Sequence, residues 1–417
     1  MMTKEKGNPV THEYMDRRNQ RNAVLAGFLG WTLDAFDFFI LTFVLATVAK
    51  DFNKTIPEIA LTLTASLAMR PVGAIIFGLM ADRYGRKGPL MITIIFYSIM
   101  EIFSGLAPTY TAFLILRLLY GIGMGGEWGV GASLVMESVS VKRRGFLSGI
   151  LQEGYALGFL LAAGAYYFIF PHFGWRAMFF VGGLPALLTL FIRSRVKETK
   201  AWKTHRSANW KEYGNAVAKH WKLFLYLVLL MSMMNLISHG TQDLYPTFLQ
   251  QQKHFSPHET AVITMVSMVG AILGGLLFGH LSDLYGRKKM MVTAVVLAIL
   301  LIPLWLLAGG SILIALGAFG MQFMVQGAWG IIPAHINELS PGSLRGFFPG
   351  FAYQLGVLIA SSIAYIEAVL AQYVSYSTSM EILAGSVLVL GAIVILAGPE
   401  AKGIHFDAKK QELEVTA

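Results

Sequence analysis

Cysteine is absent from the 417 residues. That excludes disulfides, cysteine-ligated zinc, iron–sulfur clusters and thiol catalysis. Charge is scarce as well: Asp, Glu, Lys and Arg make up 14% of the chain, against about 25% in a soluble protein. A soluble enzyme with a large core is therefore excluded. No Walker lysine–serine pair occurs. The glycine run "GIGMGG" (121–126) lies inside an apolar segment with no strand before it, so it is not a nucleotide loop. His12, His205, His220, His254 and His258 fall in loops or at helix ends and suggest no metal cluster. The opening "TKEKGNPVTHEYMDRRNQRN" has no short apolar core followed by a small-residue cleavage site. The first hydrophobic segment is expected to remain as a helix.

What the chain has in plenty is apolar side chain, 55% of all residues. Runs of about 20 apolar residues, enough to span a bilayer, recur twelve times. They cover 22–48, 57–80, 88–107, 110–136, 145–169, 175–194, 221–248, 258–280, 289–308, 311–337, 346–370 and 377–398. The reading is an all-α membrane protein of twelve transmembrane helices. Lys and Arg gather in the N-terminal tail, "DRYGRK", "VKRR", the linker, "DLYGRKK" and the C-terminal tail. The opposite loops hold only Lys50, Lys54, Arg176 and Lys253. By the positive-inside rule both termini are cytoplasmic. The formal charge of +9 follows from the same rule and needs no nucleic-acid partner. Expected parts are a cytoplasmic tail (1–21), a six-helix bundle (22–194), a cytoplasmic linker (195–220), a second six-helix bundle (221–398) and a C-terminal tail (399–417).

The two halves are internal copies. "FGLMADRYGRK" (77–87) returns as "FGHLSDLYGRK" (278–288), "MESVSVKRRG" (136–145) as "NELSPGSLRG" (337–346), and "GGEWG" (125–129) as "QGAWG" (326–330). Each copy lies 201 residues after its partner: Asp283 after Asp82, Glu338 after Glu137, Trp329 after Trp128. Two six-helix repeats imply a pseudo-twofold axis along the membrane normal and a binding site between the halves.

Polar residues in the apolar runs mark that site. A charge at the bilayer centre costs at least ~2.5–3.5 kcal/mol. In "NLISHGTQDLYPT" (235–247), Asn235, His239, Gln242 and Asp243 share one helical face. A lone polar residue there reads as helix–helix glue; a ladder with an ionisable pair reads as the wall of a wet cavity. Arg70 sits too deep to snorkel. Its planar donors fit a carboxylate bidentately, and the alternative is a salt bridge to Asp34 or Asp37. Those two aspartates are spaced i, i+3 and cannot both ionise cheaply, so they form a candidate proton site. Glu127 is either a proton carrier or a structural bond in a glycine-rich, closely packed helix. Glu153 and Gln354 are repeat equivalents. Gln354, with Tyr155 and Tyr353 nearby, could donate to a substrate oxygen. Gln322 and Gln326 are spaced i, i+4, and one of them is expected to face the cavity. The aromatic set Tyr155, Tyr353, Trp128 and Trp329 favours a small substrate.

The doubled G-x-x-x-D-R/L-Y-G-R-K signature resembles that of the major facilitator superfamily. The resemblance covers nearly the whole chain and implies alternating access by rocking of the halves. It implies gating roles for Asp82, Arg86, Asp283, Arg287, Glu137, Arg144, Glu338 and Arg345. The two aspartates would cap neighbouring helix N-termini, where the dipole favours anions, and Arg86 and Arg287 would bond to Glu137 and Glu338. Arg117, followed by a glycine pattern, is similar to the family's fourth-helix arginine, with a structural or proton-coupling role. The spacing N-x-x-S-H-x-x-Q-D-x-x-x-T, filled by Asn235, Ser238, His239, Gln242, Asp243 and Thr247, resembles fungal lactate/pyruvate permeases of the sialate/lactate:proton symporter branch. That resemblance implies a multi-pass cell-membrane symporter, functional as a monomer, for a short monocarboxylate and a proton. Substrate contacts would come from Arg70, Asn235, His239, Gln242, Gln354 and Tyr155. Proton coupling would involve Asp243 with His239, or Asp34 with Asp37, or Glu127. No cofactor is expected beyond the coupling proton. The competing readings are a carrier of a larger acid such as sialate or shikimate, a membrane enzyme, and a channel.

Overall fold

The computed structural model describes residues 17–404 except 55, 200, 201, 203–214, 216, 217, 243, 244, 246, 247, 250, 251, 256, 362 and 372. Among the described residues every regular element is helical. In hydrocarbon a helix satisfies its own backbone, which an open sheet cannot do. The N-terminal half contains α1 (Arg17–Asp51), α2 (Ile56–Tyr84), α3 (Lys87–Leu106), α4 (Tyr110–Ser138), α5 (Arg144–Gln152), α6 (Gly154–Phe168), α7 (Phe170–Val181) and α8 (Pro185–Arg195). The C-terminal half contains α9 (Trp221–Gln242), α10 (Pro257–Tyr285), α11 (Arg287–Leu306), α12 (Ser311–Leu339), α13 (Phe348–Ala360), α14 (Ile363–Leu370) and α15 (Tyr376–Ala397).

Among the described residues ten helical stretches are long and apolar enough to cross a membrane. They correspond to ten of the twelve expected segments. The fourth falls outside because α4 carries Arg117, Glu127 and a run of glycines. The eleventh falls outside because it divides into the short helices α13 and α14. The expected fifth segment is likewise divided at Glu153, between α5 and α6. Large apolar side chains such as Ile312, Leu300 and Phe173 are more than two-thirds exposed. Arg86, Arg117, Asp37 and Glu101 are fully buried. This inversion suits a lipid solvent.

The halves meet through α2 and α4 against α13, and through α5 against α10 and α12. Glycine permits the approach. A Cβ on Gly129 would lie 2.4 Å from Gly350 Cα, and one on Gly149 would lie 2.5 Å from the Gly275 carbonyl oxygen. The helices therefore touch backbone to backbone at the midline, the arrangement that small residues make possible in membrane bundles.

Candidate functional site: a cavity between the halves

At the end bearing the doubled loop motif, ion pairs seal the halves together. Arg86 donates to Asp82 Oδ1 at 2.6 Å and to Glu137 Oε1 at 2.9 Å. Asp82 also accepts from the Gly346 N–H of the other half at 2.7 Å. The second copy repeats this. Arg287 donates to Asp283 at 2.7 Å and with two nitrogens to Glu338 at 3.0 and 3.1 Å. Asp283 accepts from the N–H groups of Gly145 and Phe146, at the start of α5. Each glutamate also meets an arginine of the opposite half: Arg144 reaches Glu338 at 2.9 Å, and Arg345 lies 3.7 Å from Glu137. A buried charge this well answered by opposite charge and helix N-termini is affordable in apolar surroundings.

Two acids beyond the motif, absent from the sequence reading, extend the seal. Glu198 accepts from the N–H groups of Arg86 and Lys87, and Glu400 from those of Arg287 and Lys288. Each caps the helix that follows a motif loop. Partial burial pushes the Glu400 carboxyl up, but donors from Lys402, Arg287 and Ala401 outweigh it and hold it below its ordinary range.

Toward the opposite end the halves part around a cavity of about 320 Å³. Its wall includes Phe39 and Tyr155 from the first half and Thr241, Gln242, Tyr245 and Gln322 from the second. Gln242 Nε2 donates to Gln322 Oε1 at 2.8 Å, and Gln322 donates to Thr241 Oγ1 at 3.2 Å. One level down, Gln326 donates to Ser238 Oγ at 3.3 Å. Tyr155 links the cavity wall to a buried aromatic cluster. Tyr155 stacks on Trp31 with centroids 5.8 Å apart, Trp31 meets Tyr353 at 6.1 Å, and Tyr353 stacks on Trp128 at 4.4 Å. Trp329, from the same half as Tyr353, closes against it edge-on.

Arg70 lies beside Tyr353 of this cluster and is 6% exposed. Its Nη2 donates to Asp34 Oδ2 at 3.1 Å. Its Nε has no protein partner among the described residues, so the paired donors of the fork are not used bidentately. Pro71, next in α2, lacks the backbone N–H that would bond within the helix. Glu127 packs against α1, its Oε1 2.3 Å from where a Cβ on Gly30 would sit. Both Glu127 oxygens lack a donor among the described residues. Asp34, Glu127 and Arg70 thus give two carboxylates to one guanidinium.

The structure brings Tyr155 and Gln242 to the cavity wall, whereas Arg70, paired with Asp34, is not among the lining residues. It does not bring Asn235 or Gln354 there. Asn235 donates to Met231 O of its own helix at 2.8 Å. Gln354, fully buried, donates across the midline to Gly125 O at 3.4 Å. His239 is half-buried on α9. Asp243 and Thr247 lie outside the described residues. Among the described residues three buried carboxyl or imidazole groups escaped the sequence reading. Glu101 pairs with Arg117. His335 is fully buried in α12. Glu367 has its Oε1 3.4 Å from where a Cβ on Gly240 would sit. Glu101 and Glu367 each interrupt an apolar run, the same signal that singled out Glu127, whereas His335 stands three residues before Glu338.

The sequence profile of the Major Facilitator Superfamily matches residues 27–243 and 244–415. A carboxylic acid transporter protein homolog of Saccharomyces cerevisiae is 30% identical over 95% of this chain and 71% of its own length. The sialic acid transporter NanX of Escherichia coli is 29% identical over 92% of this chain and 95% of its own. Among solved structures, the proton:xylose symporter XylE superposes with a TM-score of 0.77 at 18% identity. It covers 95% of this chain and 99% of that one, and shows the shared fold.

Proposed function

The chain belongs to the Major Facilitator Superfamily as a multi-pass membrane transporter, and within that family we propose that it is a proton-coupled symporter of a short monocarboxylate such as lactate or pyruvate. In this reading twelve helices cross the membrane, both termini are cytoplasmic, and the halves 22–194 and 221–398 rock as bodies about the cavity. The motif end is then the cytoplasmic gate, shut here. The protein works as a monomer in the cell membrane, with the proton as coupling ion and no further cofactor.

The observation that carries the reading is Arg70. A guanidinium held by one carboxylate oxygen beside an aromatic cluster offers its fork to a carboxylate, the anion whose geometry it matches. Tyr155, Gln242 and Gln322 supply polar contacts above. Conformational change brings Asn235, His239 and Gln354 into reach of the remaining oxygens. Asp243 with His239, or the buried carboxylates Asp34, Asp37 and Glu127, carry the proton. An anion entering with a proton makes transport electroneutral. Asp82, Arg86, Glu137 and Arg345, with Asp283, Arg287, Glu338 and Arg144, form the gate.

A larger acid is the second reading, favoured by the likeness to a sialic acid transporter. The cavity of about 320 Å³ sits at the small end of ligand pockets, which run about 300–1,000 Å³. The test is uptake of labelled lactate and pyruvate into proteoliposomes under an imposed pH gradient, with sialate and shikimate as competitors. Accumulation that lactate and pyruvate suppress and sialate does not is the expected result. Competition by sialate alone transfers the assignment to the larger acid.

A further inference from the structure

A buried carboxyl between the halves has no part in the cavity wall or the seal. Glu153 lies at the break between α5 and α6, two residues before Tyr155, and is 7% exposed. Its side chain leaves the N-terminal half and crosses to α10. Oε1 lies 1.8 Å from where a Cβ on Gly275 would sit, so the carboxyl fills the space that glycine leaves empty. The Gly275 carbonyl oxygen in turn lies 2.5 Å from where a Cβ on Gly149 of α5 or on Gly330 of α12 would sit. Helices of both halves therefore converge at this carboxyl. Gly275 stands seven residues after Met268 of the cavity wall and eight before Asp283 of the seal. At a rise of ~1.5 Å per residue that is about 10–12 Å from each. Glu153 thus sits between the cavity and the gate, where the halves would part under the proposed rocking.

Nothing there answers a negative charge. Among the described residues no protein donor reaches Oε1, and no charged or titratable group of α1, α4, α10 or α12 acts on the carboxyl. Apolar surroundings favour the neutral acid over an unpaired carboxylate. The repeat gives a comparison. Gln354, the equivalent of Glu153, crosses the midline in the other direction and donates to Gly125 O of α4 at 3.4 Å. Its amide has the shape of a protonated glutamate and stays neutral at every pH. We propose that Glu153 is a proton-binding latch between the halves. Protonated, it packs against Gly275 and holds the motif end shut. Ionised, it needs water, which favours opening. The shut state then binds one proton more than the open state, so acid favours shutting and alkali favours opening. The latch needs no substrate and is separate from Arg70 and Asp34. Only its link to opening rests on the rocking of the halves.

The first measurement is infrared spectroscopy of the full-length protein in lipid nanodiscs at neutral pH. A protonated-carboxyl C=O band of the wild type should be lost in Glu153→Gln. It should return at a shifted frequency in Glu153→Asp, which keeps the test open if the amide variant folds poorly. Identical bands in all three proteins overturn the proton site.

The second measurement is the distance between spin labels on Tyr84→Cys and Tyr285→Cys, exposed repeat equivalents at the motif end of opposite halves. The chain has no cysteine of its own to interfere. With Glu153 present, the ratio of short to long distances should fall as pH rises, by up to about tenfold per pH unit, the limit for one proton. In Glu153→Gln the ratio should stay near its acid value. A wild-type ratio that ignores pH, or a glutamine variant that titrates like the wild type, overturns the latch. If neither pH nor added lactate moves the distance in any background, the rocking itself is overturned, while the infrared band still decides the proton site.

Discussion

A guanidinium in an apolar bundle must be answered by negative charge, and Arg70 is answered through one nitrogen at 3.1 Å. Arg86 and Arg287, by contrast, are each tied to two carboxylates. The difference separates an arginine that fastens structure from one that can exchange partners. Arg70→Lys keeps the charge and loses the planar fork. A charge-assisted hydrogen bond contributes about 1.5–3 kcal/mol, so substrate affinity should fall about tenfold to a hundredfold. The variant should still insert and unfold at a temperature close to wild type. Counterflow of labelled lactate with a near-normal KM would remove Arg70 from the substrate role. Residues of this kind were legible in the sequence because one charge in twenty apolar positions needs an explanation. What the sequence leaves open is the partner. Asp34 and Asp37 lie equally near Arg70 in sequence, and only packing sends Asp34 to Arg70 and Asp37 to Glu101. The partner contributed by α3 has no sequence signal linking it to α1.

At the scale of elements the doubled motif is a pair of helix-to-helix clamps. Asp82 holds the chain entering α13, and Asp283 holds the first turn of α5. Both contacts cross between the halves, so under the proposed gating each clamp would break when the motif end opens. Asp82→Asn and Asp283→Asn keep the side-chain size but weaken the bond to N–H donors and to arginine. Such a change biases the equilibrium between closed and open states rather than the contacts to substrate. Turnover should therefore fall more than equilibrium binding, read by single-turnover uptake beside a binding isotherm. Affinity that collapses while turnover per bound substrate holds steady would place the aspartates in the binding site. The repeat offset of 201 made this symmetry readable, since it fixes which residues are equivalent. It did not reveal the caps by Glu198 and Glu400, because they stand 202 apart, in stretches whose letters differ, "VKETKAW" and "GPEAKGI". Nor did hydropathy foresee the breaks at Glu153 and between α13 and α14. Apolar content measures affinity for lipid, whereas helix continuity depends on local packing at the midline, where Glu153 faces Gly275.

For the whole molecule, one end is sealed by ion pairs and backbone contacts and the other holds a cavity. The proposed rocking of the halves would exchange these properties, and two positions report on it. Ser148 is fully buried where α5 crosses α12 and accepts the Ala334 N–H at 3.0 Å. Met268 lines the cavity. Since the chain has no cysteine, Ser148→Cys and Met268→Cys each create a single reporter thiol without background. A membrane-impermeant maleimide should label Met268→Cys from the cavity side and leave Ser148→Cys untouched from the motif side. Adding lactate at low pH supplies substrate and proton together and should populate the opposite state. Labelling at 148 should then rise as labelling at 268 falls, because two faces of one equilibrium share a fixed total population. A shift of about 1.4 kcal/mol between the states changes their ratio tenfold, well within reach of a labelling time course. The reciprocity is the discriminating feature. A channel opens without closing the other side, so both thiols would react faster together, and that outcome would end the alternating-access account.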